Sequence, residues 1–353
     1  MRDITKADKN FVVKTKIEKD DICFYDAETQ PFSIYGVFRE GEKFRRIPQS
    51  VAKNTNEGVL LLHANTAGGR VRFITNSRYI AINVQMDGLG KMPHFAFTGS
   101  IGFDLYVKER GREVYFGTFV PPVEISDCYE SVKDFPNRKM REVTINFPLY
   151  SDVKKLYIGL EKNAVIKEAN PYKNEKPIVY YGSSITQGGC ASRPGNSYQA
   201  IISRKLDRDY INLGFSGSAR AEKAIYEYIK KLDMEIFVYD YDHNAPSVEH
   251  LLKTHEKMFL EIRKEKPDLP VIMMSRPVLH PSEEEKKRLE IIKATYNNAI
   301  ERGDKNVYLL DGKKLMKNTL NDGTVDGCHP NDFGFHSMAK ALVSLIEKIL
   351  NKK

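Results

Sequence analysis

Short apolar runs alternate with longer amphipathic stretches through the second half of the chain. Five runs have the length and composition of buried strands: Ile178–Tyr181, Tyr210–Leu213, Ile236–Asp240, Val271–Met274 and Val307–Leu310. The stretches around them have helical periodicity: Ser197–Leu206, Ala221–Lys231, Val248–Lys264, Glu283–Ile300 and Phe333–Leu350. Ser282 and Glu285 form a capping box at the start of one helix. This alternation predicts an α/β domain with a flavodoxin-like, doubly wound parallel five-stranded sheet.

The first half of the chain has a different pattern, with runs rich in Val, Ile, Phe and Tyr and little helical periodicity. The predicted strands are Gly58–Leu62, Val71–Ile74, Tyr79–Val84, Phe103–Val107, Val143–Phe147 and Lys155–Leu160. Several of them alternate apolar with polar residues, and Gly- and Asn-containing turns separate them. The pattern predicts an all-β antiparallel sandwich of jelly-roll type.

A chain of 353 residues is long enough for two domains, each with its own core. We place the β-sandwich domain at residues 1–165 and the α/β domain at 178–353. Residues 166–177 contain Asn170-Pro171 and Lys176-Pro177 and no strong periodicity, so they are the predicted linker.

Charge and terminal sequence limit the classes of partner. The formal net charge of +8 could attract an anion, but the lysines are interleaved with glutamates, as in Glu283–Arg288, and no nucleic-acid motif accompanies them. We therefore expect no nucleic-acid partner. The segment Met1–Lys6 lacks the apolar core of a signal peptide, and no later run is long enough to span a bilayer. A cytoplasmic protein without a membrane partner is the expectation.

Cysteine and histidine spacing gives no sign of a metal centre. The four cysteines are scattered without a CxxC pair: Cys23, Cys128, Cys190 and Cys328. His250 and His255 occupy one predicted helix at a spacing that does not put both on one face. We expect no metal, no other cofactor and no disulfide framework.

Ser184 stands where chemistry is expected, just after the first strand of the predicted parallel sheet, at the edge where open α/β folds bind ligands. A serine hydroxyl needs a base to take its proton and a third group to orient that base. Asp326 and His329, three residues apart in a turn before the last helix, can supply both. Taken alone, that turn could equally contain a helix-capping acid and an incidental histidine.

Two further loops could stabilise an oxyanion. Gly217 follows the second strand and could offer its backbone N–H, while Asn244 follows the third strand and could offer its amide. Each alone could be an ordinary βα loop. Rival motifs fit less well: Gly182–Gly188 lacks the glycine and lysine of a P-loop, and Ser216 misses an α/β-hydrolase elbow by one glycine, which leaves it a weak alternative nucleophile.

The serine, glycine, asparagine and DxxH segments, in this order, resemble the blocks of the SGNH (GDSL-type) hydrolases. The resemblance extends to Gly102–Tyr106, which is similar to the GxDLY motif of an N-terminal β domain found ahead of some members. It implies that Ser184 is the nucleophile and that His329 is the base, oriented by Asp326. The oxyanion hole would be formed by the N–H groups of Ser184 and Gly217 and by Asn244.

This sequence departs from the family pattern at two places. Ser183 stands where the GDS block has an acid. The asparagine block, usually GxND, reads Asp240-Tyr241-Asp242-His243-Asn244, so that Asn244 is the best chemical match and its register is open by a residue or two. His243 could then point into the site as a substrate contact, or pack as an ordinary loop histidine.

The resemblance implies an acetylesterase-like carboxylic ester hydrolase. Its expected substrate is a small-molecule or oligosaccharide ester, because members with a leading β domain often remove acetyl groups from carbohydrates. The alternatives are a carbohydrate-binding protein with an idle hydrolase domain and a lipase- or thioesterase-type acylhydrolase. A homo-oligomer is possible, and the sequence does not specify the alcohol.

Overall fold

Two antiparallel sheets form the first half of the protein in a computed structural model, which describes residues 13–320 and 322–352. Met1–Lys6, the segment in which no signal peptide is expected, lies outside the described residues. One sheet has the order β1 (Ile22–Asp26), β11 (Asp152–Glu161), β6 (Tyr79–Asp87) and β9 (Cys128–Asp134). The other has the order β12 (Ile166–Lys167), β5 (Arg70–Thr75), β10 (Arg141–Asn146), β7 (Phe103–Glu109) and β8 (Arg112–Phe119).

The remaining elements of this half are short. β2 (Ser33–Tyr35) also pairs with β5, and β3 (Phe38–Glu40) pairs with β4 (Lys43–Arg45). The short helices are α1 (Gln49–Lys53), α2 (Glu57–Leu62) and α3 (Phe97–Ser100). Side chains of both sheets share one apolar core, which includes Phe73, Ile82, Leu105, Ile145 and Ile158. The predicted antiparallel β domain is therefore present, with its apolar strand faces directed inward.

The prediction of a strand at Gly58–Leu62 is wrong, because these residues form most of α2. Asn56 caps this helix, and its Oδ1 accepts a hydrogen bond from the N–H of Val59 at 2.8 Å. Val59 is buried whereas Leu61 is 76% exposed, so the apolar run is not a buried strand. Asn56, three residues before Val59, caps a helix here, although the apolar composition of the run is typical of a strand.

A five-stranded parallel sheet forms the second half, as the sequence predicts. Its order is β14 (Tyr210–Gly214), β13 (Ile178–Gly182), β15 (Ile236–Asp240), β16 (Val271–Met274) and β17 (Val307–Leu310). This is the flavodoxin-like order 2-1-3-4-5. The helices are α4 (Ser184–Gln187), α5 (Tyr198–Leu206), α6 (Lys223–Ile229), α7 (Val248–Glu265), α8 (Glu283–Glu301), α9 (Gly312–Met316) and α10 (Asp332–Leu350). The capping box of Ser282 and Glu285 is confirmed.

Helices cover both faces of the parallel sheet. On one face α6, α7 and α8 contribute Ile225, Leu251 and Ile292 to a core that also receives Val59 from the β domain. On the other face α5 and α10 contribute side chains such as Ile202 and Leu342. None of the helices in the described part of the chain combines the length and apolarity needed to cross a membrane.

Arg46 connects the β domain to β14, the outermost strand of the parallel sheet next to the strand that precedes Ser184. This side chain is 2% exposed and stacks on the ring of Phe215, 4.6 Å from its centroid. It donates to the carbonyl oxygens of Asn65 and Asn212, at 2.7 and 3.2 Å, and to that of Gly214. It also donates to the carbonyl of Leu62 at 2.7 Å. The two halves thus share buried polar contacts close to the glycine block.

Candidate active site

The strand β13 delivers Ser184 to the carboxyl edge of the sheet through a crowded turn. A Cβ at Gly182 would lie 2.0 Å from the carbonyl oxygen of Asp240 on the neighbouring strand, so this position requires glycine. The Oγ of Ser183 accepts a hydrogen bond from the N–H of Ile185 at 3.2 Å and caps α4. Ser184 is therefore the first residue of a helix, and Ser183 in place of the family's acid has a structural role as N-cap.

The loop before α10 supplies the partners of Ser184. The Nε2 of His329 lies 3.0 Å from the Oγ of Ser184, and its Nδ1 lies 2.8 Å from Oδ2 of Asp326. The other carboxylate oxygen, Oδ1, accepts hydrogen bonds from the backbone N–H groups of Cys328 and His329, at 3.0 and 2.7 Å. The carboxylate thus fixes the turn and the imidazole together. The structure brings all three predicted residues into one hydrogen-bonded row.

The electrostatics of this row are dominated by short polar contacts. A hydrogen bond to Cys328 and another to Asp326 raise the pKa of His329 to about 9, against the opposing effect of burial. Burial would raise the pKa of Asp326, but hydrogen bonds from His329 and from the backbone hold it well below its usual value. An ionised carboxylate can therefore stabilise a charged His329 imidazole.

Cys328 is a contact that the sequence did not reveal. Its Sγ lies 3.2 Å from Nε2 of His243, and the thiol also contacts His329. Partial burial would raise the pKa of Cys328, but the two histidines lower it to about 6. His243 is placed against this thiol, and its Nδ1 is buried without a hydrogen-bond partner among the described residues. The sequence feature that pointed to this contact is the position of Cys328 directly before His329.

Gly217 and Asn244 lie on either side of the Ser184 turn. In the sheet register Gly182 is paired with Gly214 of β14 and with Asp240 of β15. Gly217 follows the first of these strands with φ +66°, and no described atom lies within 4 Å of where its Cβ would be. Asn244 ends a 3-10 turn, Asp242–Asn244, and its Oδ1 is buried without a described partner. The glycine and asparagine blocks therefore flank the serine block at one sheet edge.

Residues of the β domain also reach this site, which the sequence could not predict. The hydroxyl of Tyr150 donates to the carbonyl oxygen of Ser184 at 3.2 Å. The rings of His94 and His329 are 5.8 Å apart between centroids. Both residues come from loops of the first half whose path depends on tertiary packing. No local motif marks either of them.

The segment after α4 closes around the imidazole from the other side. A Cβ at Gly189 would lie 3.1 Å from the carbonyl oxygen of Ser184 and 3.5 Å from Cδ2 of His329. The next residue, Cys190, has φ +75°, a left-handed conformation that is uncommon for a residue with a side chain. Burial raises the pKa of its thiol to about 12. The thiol of Cys190 is therefore protonated at neutral pH.

Comparisons with known proteins agree with this arrangement. A model of the GDSL-like lipase/acylhydrolase family matches residues 175–347, and the GxDLY model, described as the N-terminus of Esterase_SGNH_hydro-type, matches residues 22–166. A Bacteroides ovatus ATCC 8483 protein described as a GDSL-like lipase is 31% identical, with a TM-score of 0.85. The alignment covers 94% of this chain and 98% of that one. No curated protein matches.

More distant solved structures share the fold. A salicylyl-acyltransferase from a tetracycline biosynthetic pathway is 18% identical with a TM-score of 0.75, over 94% of this chain and 98% of that one. An acetyl xylan esterase from the rumen bacterium Butyrivibrio proteoclasticus is 13% identical with a TM-score of 0.59, over 94% and 99%. The chain belongs to the GDSL-like lipase/acylhydrolase family of SGNH hydrolases and is an ester hydrolase with a GxDLY-type N-terminal β domain.

Proposed function

We propose that the protein is a serine esterase that removes small acyl groups, in particular acetyl, from carbohydrates. The observation that carries the proposal is the row formed by Ser184, His329 and Asp326, with contacts of 3.0 and 2.8 Å. This is the geometry that a nucleophile, its base and the orienting acid require. The reaction needs no cofactor.

The chemistry follows from these contacts. The Oγ of Ser184 attacks the ester carbonyl while its proton passes to Nε2 of His329. Asp326 holds Nδ1–H and stabilises the imidazolium. The tetrahedral intermediate expels the alcohol oxygen, which takes the proton from Nε2 and leaves an acyl-enzyme. Water then attacks the acyl carbon, again giving a proton to His329, and collapse releases the carboxylic acid and free Ser184.

The oxyanion would be held by three donors. Ser184 is the first residue of α4, so its backbone N–H belongs to the helix-terminal groups that have no partner within the helix. On one side of Ser184, no described atom lies within 4 Å of where the Cβ of Gly217 would be, which leaves room for a substrate beside this residue. On the other side, Asn244 follows the neighbouring strand β15. We assign the N–H groups of Ser184 and Gly217 and the amide of Asn244 to this role. His243, at the same sheet edge, remains a proposed substrate contact.

Crowding around the nucleophile favours a small acyl group. Ser184 is 5% exposed. A Cβ at Gly189 would be 3.0 Å from the hydroxyl of Tyr150, so the protein is closely packed next to Ser184. A carbohydrate alcohol is suggested by the fold shared with an acetyl xylan esterase and with family two carbohydrate esterases. The jelly-roll type of the β domain is likewise a proposal, supported by its two packed antiparallel sheets.

The second candidate is a lipase- or thioesterase-type acylhydrolase, which the description of the Bacteroides ovatus relative favours. A panel of acetylated mono- and oligosaccharides, short- and long-chain p-nitrophenyl esters and an acyl thioester distinguishes the two. We expect acetate release from the sugars and falling rates as the acyl chain lengthens. Faster hydrolysis of long-chain esters or of the thioester would select the second candidate.

Replacement of the nucleophile tests the mechanism. Ser184→Ala should lower kcat on p-nitrophenyl acetate by about 10⁴-fold or more while the protein remains folded. Ser216→Ala is the matched control, since Ser216 follows the neighbouring strand and is the alternative nucleophile. Full activity of Ser184→Ala, or complete loss in Ser216→Ala with a native circular dichroism spectrum, would overturn the assignment. Carbohydrate binding without hydrolysis in either wild type or Ser184→Ala would indicate an idle domain.

A further inference from the structure

Three potential metal ligands from two parts of the fold meet beside the proposed base. One ligand atom from each of His94, Cys190 and His329 can be chosen so that all three lie within 4.8 Å of one another. His94 is exposed, Cys190 is buried and His329 is half-buried. None of the steps proposed for ester hydrolysis uses His94 or Cys190. Their convergence on His329 therefore has no explanation in that reaction.

We propose that His94, Cys190 and His329 bind one divalent ion of the zinc class, and that the bound ion inhibits the esterase reversibly by occupying the imidazole of His329. The binding site stands on these three residues alone. The inhibition rests on the proposed function, because it requires His329 to be the base.

The ligand set suits a borderline-soft ion. Imidazole nitrogen and thiolate sulfur are the ligands that Zn²⁺ prefers, and two histidines with one cysteine leave the fourth tetrahedral position for water. With Zn–N near 2.0 Å and Zn–S near 2.3 Å, tetrahedral ligand atoms lie about 3.3–3.7 Å apart. From separations of at most 4.8 Å, the three ligand atoms need to approach by up to about 1.5 Å. His94, on the exposed loop between β6 and α3, can supply that movement by rotating its side chain.

The second nitrogen of His329 is already arranged for metal binding. Nδ1 lies 2.8 Å from the Asp326 carboxylate, which leaves Nε2 as the nitrogen for the ion. A carboxylate that holds the other nitrogen of a ligating histidine is the usual outer contact of zinc sites. The negative charge of Asp326 also acts on the thiol of Cys190 and favours a cation there. Coordination replaces the thiol proton of Cys190 and, where His329 is charged, the proton on its Nε2, and both are released to solvent.

A competing cluster, Asp326 with Cys328 and His329, has the same spacing but its ligand atoms are engaged. Asp326 Oδ1 accepts two backbone hydrogen bonds, Oδ2 faces Nδ1 of His329, and the Cys328 sulfur lies 3.2 Å from His243. Binding an ion there would break several of these contacts. Binding at the His94 cluster keeps these contacts and gives up only the one between Nε2 of His329 and Oγ of Ser184.

Inhibition follows from competition at one atom. The Nε2 of His329 lies 3.0 Å from the Oγ of Ser184 and must accept its proton in the first step. A nitrogen bound to a metal ion cannot accept that proton. Bound zinc should therefore abolish turnover, and removal of the ion by a chelator should restore it.

The first experiment measures binding without relying on activity. Chelator-treated Ser184→Ala protein is titrated with ZnCl₂ in a calorimeter, and with CoCl₂ while thiolate-to-cobalt absorption is followed. We expect one ion per chain and sulfur-ligand absorption. Adding His94→Ala or Cys190→Ser to this protein should weaken binding by about 100-fold, since each removes a ligand rather than an outer contact, whose loss gives about 10–100-fold.

Matched variants decide which cluster binds. His336→Ala and Cys128→Ser remove an exposed histidine and an exposed cysteine elsewhere and should leave zinc affinity unchanged. Cys328→Ser should keep one ion per chain with affinity that does not fall, because losing the thiol contact leaves more of His329 in the neutral form that binds the ion. Loss of binding in Cys328→Ser but not in Cys190→Ser would assign the ion to the competing cluster and overturn the proposal, as would the absence of stoichiometric binding. Circular dichroism establishes whether each variant is folded. If Cys190→Ser does not fold, His94→Ala still tests the site, because His94 lies on an exposed loop.

The second experiment measures inhibition in the protein with Ser184 intact. Zinc should inhibit p-nitrophenyl acetate hydrolysis and excess EDTA should restore it. His94→Ala, normalised to its own metal-free rate, should need at least about tenfold more zinc for half-inhibition. Binding without inhibition would refute the inhibitory role. If no ester is hydrolysed at all, the proposed function fails, while the calorimetric result on the site still stands.

Discussion

Cys328 lies on the loop that carries the proposed base, and its sulfur is 3.2 Å from Nε2 of His243. The same thiol contacts His329, and this contact is the largest cause that raises the pKa of His329 to about 9. Together the two histidines lower the pKa of Cys328 to about 6, although burial opposes this. These contacts favour the thiolate form of Cys328 and the imidazolium form of His329, so the proposed base holds its proton more tightly than an ordinary histidine.

Replacing Cys328 should shift the pH dependence of the reaction. If His329 is the base, as proposed, only its neutral form is active, so kcat/KM of the wild type should rise with pH up to about 9. In Cys328→Ser the pKa of His329 falls toward its ordinary value, so the acid limb moves to lower pH. The neutral fraction at pH 7 would rise, although Asp326 still holds the pKa of His329 up, so kcat/KM at that pH should increase by about tenfold.

The control for this prediction is Cys128→Ser, which removes an exposed thiol of β9 and should leave the profile unchanged. The measurement is kcat/KM on p-nitrophenyl acetate from pH 5 to 10, which reports ionisations of the free enzyme. An acid limb at the same pH in wild type and Cys328→Ser would show that the thiol does not control the base.

Asn244→Ala should lower kcat by about 10²-fold or more with a small change in KM. The reason is that an oxyanion donor acts mainly when negative charge develops in the transition state. Asn54→Ala, at an exposed asparagine of the β domain, is the control. Steady-state kinetics on p-nitrophenyl acetate separate the two parameters, and a rise in KM at unchanged kcat would instead make Asn244 a substrate-binding residue.

Local sequence determined the parallel sheet more completely than the β domain. All five apolar runs of the second half form strands flanked by helices, and β13, β15 and β16 are buried throughout. The edge strands β14 and β17 are buried except at Ile211, Tyr308 and Leu309, which are half-buried. In the first half the strands are partly exposed and often short. β8, for example, follows a two-residue turn and carries the exposed side chains of Val114 and Tyr115, so its pattern does not mark a strand.

The candidate site divides in the same way. The convergence of Ser184, Asp326 and His329 was predictable because Ser184 directly follows a recognisable strand and the other two directly precede a recognisable helix. Arg46 and His94 were not, because their contacts come from residues far away in the chain. Ser183 was a departure without an explanation in the sequence, and the short helix α4 that it caps is visible only in the structure. The contacts of Arg46 and His94 depend on packing between distant parts of the chain, which local sequence patterns do not contain.

Arg46→Met should destabilise the whole protein and impair the site. The substitution leaves buried carbonyl oxygens of both halves without a donor, among them those of Asn65 and Asn212. Unsatisfied buried acceptors cost about 1–3 kcal/mol each, so the free energy of unfolding should fall by about 3 kcal/mol or more. Urea denaturation measures this. The exposed Arg112→Met is the control, and equal stability of the two variants would contradict the role assigned to Arg46.

His255 should make the protein sensitive to acid. It is 1% exposed, and burial lowers its pKa to about 3. Its Nδ1 lies 2.8 Å from the hydroxyl of Thr295, and the rings of Tyr239 and Tyr241 stack on it at 4.5 and 5.9 Å. The unfolded chain binds a proton here near pH 6.5, whereas the folded protein does so near pH 3. Between these values the unfolded state holds more protons, so stability falls as the pH falls.

The His255→Phe variant isolates this contribution. Phe keeps the stacking on Tyr239, and the Thr295 hydroxyl retains its hydrogen bond to the carbonyl of Ile291 at 3.3 Å. Wild type should lose up to about 1.4 kcal/mol per pH unit more than His255→Phe between pH 6 and 4, the slope for one proton. Urea denaturation at each pH gives the two curves, with exposed His336→Ala as control. Parallel curves for wild type and His255→Phe would mean that His255 does not control the acid stability, whereas a shallower curve for His255→Phe alone assigns it to this buried ring.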